Sequence, residues 1–240
     1  ASEVVYDRAG SAFANSSAED HAWPALLSGA QLLHVSGISP ALGDNVAGSV
    51  LGAVRAARAA RVQVSFDGNY RPSLWRRWGG DAGAILREVF AEADIVFADH
   101  RDIELVLGLH FPQDDAAART EAAAAAAFAA FPHLQWLACT QRDVVSADHH
   151  ILGALLLGRD GSRAQAPPRP LPGIVDRIGG GDAFAAGILH GMLSGLDAES
   201  TVRFGLAAGA LKHAIPGDFS PVAEAQVLAL LGDGGADVQR

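Results

Sequence analysis

The stretch Gly173-Ile174-Val175-Asp176-Arg177-Ile178-Gly179-Gly180-Gly181-Asp182 runs directly into the apolar segment Ala183 to Leu193. This pattern predicts a short strand, a glycine turn and a buried helix. Glycines let the backbone pass close to a ligand, and the first turn of a helix presents unpaired N–H groups. An anion is therefore the ligand that this turn is best suited to hold.

Asp182 lies inside that first helical turn. A carboxylate placed among N–H donors stays charged, so it can accept a proton from a hydroxyl while the amides hold a transferring phosphoryl group. Such an arrangement suits a kinase that phosphorylates an alcohol. The alternative is structural: Asp182 caps the helix and complements its dipole. On spacing alone, both interpretations remain open.

The segment from Asp176 to Gly187, D-R-I-G-G-G-D-A-F-A-A-G, resembles the carboxy-terminal signature D-T-x-G-A-G-D-A-F-x-x-G of ribokinase-like (PfkB) sugar kinases. The variant with Arg177 and Gly180 is similar to that of the 2-keto-3-deoxygluconate kinases. The resemblance implies an α/β fold, a three-layer α/β/α sandwich with a mostly parallel central sheet. It also implies that Asp182 is the catalytic base. It implies further that the amides of Gly179, Gly180 and Gly181 form the anion hole. Of these, Gly179 and Gly181 are also implied to contact the nucleotide.

The composition favours small-molecule chemistry. Half of the 240 residues are hydrophobic, and the net charge of −9 argues against nucleic acid or an anionic membrane as a partner. Lys212 is the only lysine, and its sequence position favours a cation at a helix C-terminus. The lone Cys139 excludes an internal disulfide, and no apolar run reaches the ~20 residues that span a bilayer. We expect a cytoplasmic protein, with a homo-oligomer as an open alternative.

Residues 4–8 and 12–14 flank a glycine and predict two short strands. In the resembled 2-keto-3-deoxygluconate kinases, a Y-x-R-x-x-S-A segment lies on a small β lid over the sugar, and Tyr6 and Arg8 match it. The resemblance therefore assigns residues 1–16 to part of a β lid and residues 17–240 to the α/β nucleotide- and substrate-binding domain. Without the resemblance, Tyr6 and Arg8 would be interpreted as part of a half-exposed edge strand.

Strands are predicted at 31–37 and 62–67, and each ends in a polar loop where sites of open α/β sheets gather. The first loop resembles the family's S-G-I-[ST]-x-A-L segment beside the substrate, which assigns Ile38. The second carries D-x-N-x-R-P-x-L-W, which assigns Arg71, a planar donor suited to a carboxylate. The structural alternative for Arg71 is a salt bridge with Asp67.

Three further matches come from the resemblance. Asp99 and Asp102 occupy the ends of the family's N-x-x-E motif, which helps to place magnesium and phosphates, although acids that cap a helix are the alternative. Thr140 and Arg142 match a T-x-R segment that contacts nucleotide phosphates. Asp218 matches the A-L-K-H-x-x-P-G-D segment near substrate and nucleotide.

The resemblance predicts an ATP- and Mg²⁺-dependent kinase for the primary hydroxyl of 2-keto-3-deoxygluconate. A kinase for a neutral sugar such as fructose or ribose is the alternative, and Arg8 and Arg71 argue against it because a neutral sugar gives them no anionic partner. A catalytically silent sugar- or nucleotide-binding relative is also open. Two observations favour this silent relative. The N-x-x-E motif is altered, and the family's amino-terminal segment, with its G-G-x-x-x-N motif, is absent from this sequence. We expect a partial chain, a protein completed by a partner, or a degenerate relative.

Overall fold

The computed structural model describes Arg8 and residues 10–232. Tyr6, and with it the first of the two predicted amino-terminal strands, lies outside the described residues. The chain divides into two compact units, Ala1–Leu137 and Ala138–Arg240. Strands alternate with helices along most of the chain, which confirms the predicted α/β fold class. The predicted lid boundary after residue 16 stays a prediction.

The first unit alternates strands and helices. Its 3-10 helices are Ala18–Asp20 and Pro40–Leu42, and its other elements are α1 (Trp23–Leu26), β1 (Leu32–Ser36), α2 (Asp44–Ala59), β2 (Gln63–Asp67), α3 (Pro72–Trp78), α4 (Ala82–Glu92), β3 (Ile95–Phe97), α5 (His100–Leu107) and α6 (Ala116–Ala130). Strand β4 (Trp136–Ser146) contains the boundary between the two units.

Parallel pairing aligns the carboxyl ends of the first three strands. Ser36 of β1 pairs with Asp67 of β2, which in turn pairs with Phe97 of β3. The polar loops that follow these strands therefore leave the sheet at one edge, as predicted. Strand β1 is only partly buried, whereas β2 and β3 are buried along most of their length.

The core of the first unit consists of aliphatic and aromatic side chains on these strands and on the helices that pack against them. Phe66 of β2 and Phe90 of α4 are both fully buried and meet edge to face, with their ring centroids 5.3 Å apart. Helix α2 buries Val46, Val50 and Val54, the helical spacing that the sequence shows.

The second unit has a different order of elements. It comprises β5 (His149–Gly158), β6 (Arg163–Pro172), α7 (Gly180–Leu193), α8 (Ala198–Lys212) and α9 (Glu224–Leu231). Strands β5 and β6 pair antiparallel, so the chain uses both kinds of strand pairing rather than parallel pairing alone. Strand β6 contains four prolines, which fix an extended backbone but cannot donate to a ladder.

The structure corrects one local prediction and fixes the bounds of two strands. Residues 12–15 form a turn, in which the amide of Ala14 donates to Ser11 Oγ at 3.1 Å, so the predicted strand at 12–14 is not formed. Strand β4 continues to Ser146, and β5 begins at His149 after a two-residue turn. Thr140 and Arg142 therefore lie within β4, and the histidine pair His149-His150 begins β5.

Helices α7 and α8 approach closely because glycines face each other across their contact. A Cβ added to Gly187 would lie 2.8 Å from the Cα of Gly205, and one added to Gly191 would lie 3.0 Å from the side chain of Thr201. Among the described residues, no helix has the length and apolar character required to cross a membrane.

We expect Gly187→Ala to destabilise the fold by about 1–3 kcal/mol, because the new methyl group would meet backbone rather than a flexible side chain. Gly48→Ala is the matched control: Gly48 lies on an exposed face of α2 with nothing within 4 Å of its added Cβ. The control should gain about 0.5–1 kcal/mol from helix propensity. Urea unfolding measures both, and equal stability of the two variants would contradict close helix packing.

Candidate active site

A glycine in a left-handed conformation sets the start of α7. Gly179 is the N-cap residue with φ +76°, and a Cβ at this position would overlap the backbone carbonyl of Asp218. Its neighbour Gly180 is buried, and an added Cβ there would lie 2.7 Å from the ring of His213. Gly181, in contrast, faces open space. The first two glycines are thus required by close packing, and the third leaves the turn accessible.

The turn presents unpaired amides. The N–H of Gly180 donates to the carbonyl of Arg177 at 3.2 Å, and the N–H of Ala183 begins the regular helical pattern by donating to Gly179. Within the described part of the chain, the amides of Gly179, Gly181 and Asp182 have no protein acceptor. The amide of Gly180, predicted to join the anion hole, already has a partner inside the loop. The amide of Asp182 was not predicted and adds to the site.

Asp182 occupies the third position of α7, and its side chain is exposed. Gly179, not Asp182, is the N-cap residue, and no side chain caps this helix. Asp182 therefore does not cap the helix, although its position in the first turn still complements the helix dipole, as the structural alternative predicts. An exposed carboxylate beside unpaired amides can accept a proton from a hydroxyl that reaches this turn.

Two segments of the second unit hold the turn in place. The carbonyl of His213 accepts hydrogen bonds from the amides of Val175 and Asp176, at 2.9 Å and 3.2 Å. The Asp176 carboxylate accepts from the amides of Ile178 and Gly217, at 2.9 Å and 2.8 Å. These amide hydrogen bonds lower the pKa of Asp176, so it remains charged. Asp176 therefore ties the approach to the turn to the loop that carries Asp218, an exposed residue.

Thr140 and Arg142 are exposed on β4, two residues apart and so on one face of the strand. Near Arg142 lies His150, a buried histidine whose two ring nitrogens have no hydrogen-bond partner within the described part of the chain. Burial lowers the pKa of His150, and the positive charges of Arg177 and Arg142 lower it further. His150 is therefore neutral at neutral pH, which keeps one more positive charge away from these arginines.

In the first unit, three strand ends meet in a tight cluster. The Asn69 side-chain amide donates to Ser36 Oγ at 3.0 Å, and its backbone N–H donates to Asp67 Oδ1 at 3.1 Å. A Cβ on Gly68 would lie 2.9 Å from the Asp102 carboxyl group. Ile38, partly buried, follows Ser36 and donates its amide to Ser36 Oγ at 3.4 Å. The predicted gathering of these loops is thus present.

Arg71 belongs to the same edge and is partly buried. Its guanidinium donates to the carbonyl of Tyr70 at 3.1 Å, and its positive charge acts on Asp102. Arg71 forms no ion pair within the described residues, so the structural alternative of a salt bridge with Asp67 is not seen. Most donors of its planar fork therefore remain available for an anionic ligand.

Asp99 and Asp102 form a capping box at the start of α5. The amide of Asp99 donates to Asp102 Oδ2 at 3.0 Å, and Asp99 accepts from the amide of Arg101 at 2.8 Å and from its side chain. Burial alone would raise the pKa of Asp99, but the hydrogen bonds from Arg101 lower it. Burial raises the pKa of Asp102 to about 6, against the lowering effect of the Asp99 amide.

The described residues contain no group of three or more His, Cys, Asp or Glu side chains that could hold a metal ion. Both predicted metal ligands, Asp99 and Asp102, take part in the helix cap, and Arg101 occupies the oxygens of Asp99. A metal site built from protein ligands alone therefore does not fit these residues.

A comparison with protein families identifies the family of the chain. The model of the pfkB family of carbohydrate kinases matches residues 2–223. The chain belongs to this family. The predicted class of enzyme, a carbohydrate kinase, is thus confirmed.

Three relatives show which members of the pfkB family are similar. A 2-dehydro-3-deoxygalactonokinase of Haloferax volcanii is 30% identical over 237 residues, which are 99% of this chain and 68% of the relative. A 2-dehydro-3-deoxygluconokinase of Bacillus subtilis is 28% identical over 82% of this chain, which spans 55% of that relative. The crystal structure of a 2-dehydro-3-deoxygluconokinase from Thermotoga maritima superposes with a TM-score of 0.86 at 32% identity, covering 95% of this chain and 68% of that one.

We predict that Asp102→Asn stabilises the protein at pH 7.5, by on the order of 2 kcal/mol. The pKa of Asp102 in the folded state, about 6, is above its ordinary value of 3.8. The folded state therefore binds this proton more tightly, and stability is lost as the pH rises from about 4 through 6. The advantage of asparagine, which does not ionise, should shrink between pH 7.5 and pH 5 in thermal unfolding.

Asp99→Asn is the matched control within the same capping box. The pKa of Asp99 is lowered, so its charge contributes stability that is present above its ordinary pKa and lost in acid. This variant should be less stable than the wild type at pH 7.5. A stabilisation of both variants, or of neither, would contradict the opposite environments of the two carboxylates.

Proposed function

We propose that the chain transfers the γ-phosphoryl group of ATP to the primary hydroxyl of 2-keto-3-deoxygluconate, also called 2-dehydro-3-deoxygluconate. One observation carries the proposal: an exposed carboxylate, Asp182, lies among unpaired backbone amides at the start of α7. Phosphoryl transfer needs little covalent chemistry from the protein. It needs positioning and charge stabilisation, and this turn offers both.

Each group at the turn has a role in this proposal. Asp182 accepts the proton of the attacking hydroxyl. The amides of Gly179, Gly181 and Asp182 donate to the oxygens of the transferring phosphoryl group, where negative charge develops. Thr140 and Arg142 contact the phosphates of the nucleotide. Magnesium stays a predicted cofactor that would neutralise phosphate charge when bound with ATP, and Asp99 and Asp102 stay its predicted neighbours.

The acceptor is a sugar acid because cationic donors are available for a carboxylate. The Arg71 fork lacks an ion pair within the described residues, and Arg8 is the second arginine proposed to contact the sugar. The family resemblance adds Tyr6, Ile38 and Asp218 to the substrate contacts. A neutral sugar would offer no carboxylate to the Arg71 guanidinium, which disfavours fructose and ribose.

The relative from Haloferax volcanii favours a second acceptor, 2-dehydro-3-deoxygalactonate. The two sugar acids share the carboxylate, the keto group and the primary hydroxyl, and they differ in the configuration of one hydroxyl carbon. The contacts proposed for Arg71 and Asp182 would serve either acid. The cytoplasmic location and the oligomeric state stay predictions.

Asp182→Asn should lower kcat by 10²–10⁴-fold, because a positioned general base typically contributes this much. Asp182 is exposed and caps nothing, so the thermal midpoint should stay within about 1 °C of the wild type. Coupled detection of ADP measures the rate. A variant that keeps more than about a tenth of the wild-type kcat would refute the role of Asp182 as the base.

Arg71→Ala should raise the KM for 2-keto-3-deoxygluconate by at least about tenfold, because it removes a charge-assisted contact to the carboxylate. The matched control is Arg76→Ala, in the exposed part of α3 in the same unit, which should leave the KM unchanged. The affinity for ATP should be similar in both variants. Equal weakening by Arg71→Ala of fructose and of the sugar acid would exclude carboxylate recognition by Arg71.

A further inference from the structure

Lys212, the only lysine of the chain, lies in the last turn of α8 and has a relative exposure of 0%. Its sequence position predicts a cation at the helix C-terminus, and the structure shows in addition that this cation is completely buried. An ionised ammonium group is costly to bury without compensation. Within the described residues, its Nζ donates one hydrogen bond, to the carbonyl of Ile215 at 2.9 Å.

The positive charge of Lys212 acts on Asp176 without direct contact, since the described residues show no salt bridge between the two. Its carboxylate is held by the amides of Ile178 and Gly217, which lower its pKa, and the charge of Lys212 lowers it further. Asp176 belongs to the segment that leads into the glycine turn, whereas Ile215 and Gly217 belong to the loop after α8. The Lys212 ammonium therefore attracts groups on both segments that hold the turn.

The lysine side chain also lies directly beneath the turn. Its Cε is 3.2 Å from the position that a Cβ on Gly179 would take, on the same side as the carbonyl of Asp218. Gly179 is the N-cap of α7, so the ammonium lies close to the end of the helix whose amides are unpaired. A fixed positive charge acts strongly in such a buried place, because water screens it little.

We propose that Lys212 is a positioning residue for phosphoryl transfer. Its ammonium holds the loop 213–218 and the segment 173–179 together beneath Gly179, and it adds a positive charge behind the amides that bind the phosphate oxygens. The inference deepens the proposed function and rests on it. It assigns to a buried cation a role in nucleotide affinity that Asp182, an anion, cannot have.

A purely structural role would be served as well by an uncharged side chain of similar length. Replacing a buried ion by a hydrophobic residue of similar volume is often neutral or stabilising. Methionine fills the space of the lysine stem and keeps the contact with Gly179, but it brings no charge. Lys212→Met therefore separates the effect of packing from the effect of the charge.

The test measures the Kd of MgATP by isothermal titration calorimetry for the wild-type chain, Lys212→Met and Arg203→Met. Arg203 is an exposed cation on the same helix, so its variant controls for the loss of one positive charge. Lys212→Met should bind MgATP at least about tenfold more weakly, and Arg203→Met should stay within about twofold of the wild type. A Lys212→Met Kd within about twofold of the wild type overturns the proposal.

Chemical rescue provides a second measurement in case Lys212→Met does not fold. Lys212→Ala lacks four side-chain atoms that n-propylammonium can replace, while n-propanol has the same size without the charge. Restoration of MgATP affinity by n-propylammonium but not by n-propanol supports the proposal. Failure of n-propylammonium to restore it, or equal restoration by n-propanol, overturns the proposal.

The failure of the proposed function gives a different result. Wild-type chain that binds MgATP but shows no turnover dependent on a sugar acid would count against the proposed reaction, while the ratio of the Kd values still decides the role of Lys212. Wild-type chain that does not bind MgATP would overturn both.

Discussion

The account depends on one backbone constraint, the left-handed Gly179 packed against the carbonyl of Asp218. Any other residue at this position would have to displace the loop after α8, and with it the amides at the start of α7. Because the turn is fixed in this way, the unpaired N–H groups of Gly181 and Asp182 are held in place before a ligand arrives. Preorganised donors of this kind stabilise developing negative charge without the cost of reorganisation.

The two polar clusters differ in which of their groups already have hydrogen-bond partners. At the glycine turn, the Asp176 carboxylate accepts from the amides of Ile178 and Gly217, and Lys212 donates to the carbonyl of Ile215, whereas the Asp182 carboxylate is left exposed. At the strand ends of the first unit, Asp99 and Asp102 are used by a capping box, and Arg71 keeps most of its donors. Such unused groups are candidates for ligand contacts, because a satisfied side chain gains less from a new partner.

The sequence predicted the α/β class and the glycine turn before α7, because glycine placement and apolar periodicity depend on local chemistry. It did not predict the end of β4 or the turn at residues 12–15, where pairing and tertiary contacts decide between strand and loop. Nor did it predict the burial of Lys212, since a lysine near a helix end is usually exposed. The contribution of the Asp182 amide required knowledge of which N–H groups the loop already uses.

The most direct test of the central claim is ADP release by the purified 240-residue chain with MgATP, measured separately with 2-keto-3-deoxygluconate, fructose, ribose and no acceptor. The account predicts release that depends on the sugar acid and exceeds the rates with both neutral sugars. Release with fructose or ribose at the same kcat/KM, or release that is independent of any acceptor, would contradict it.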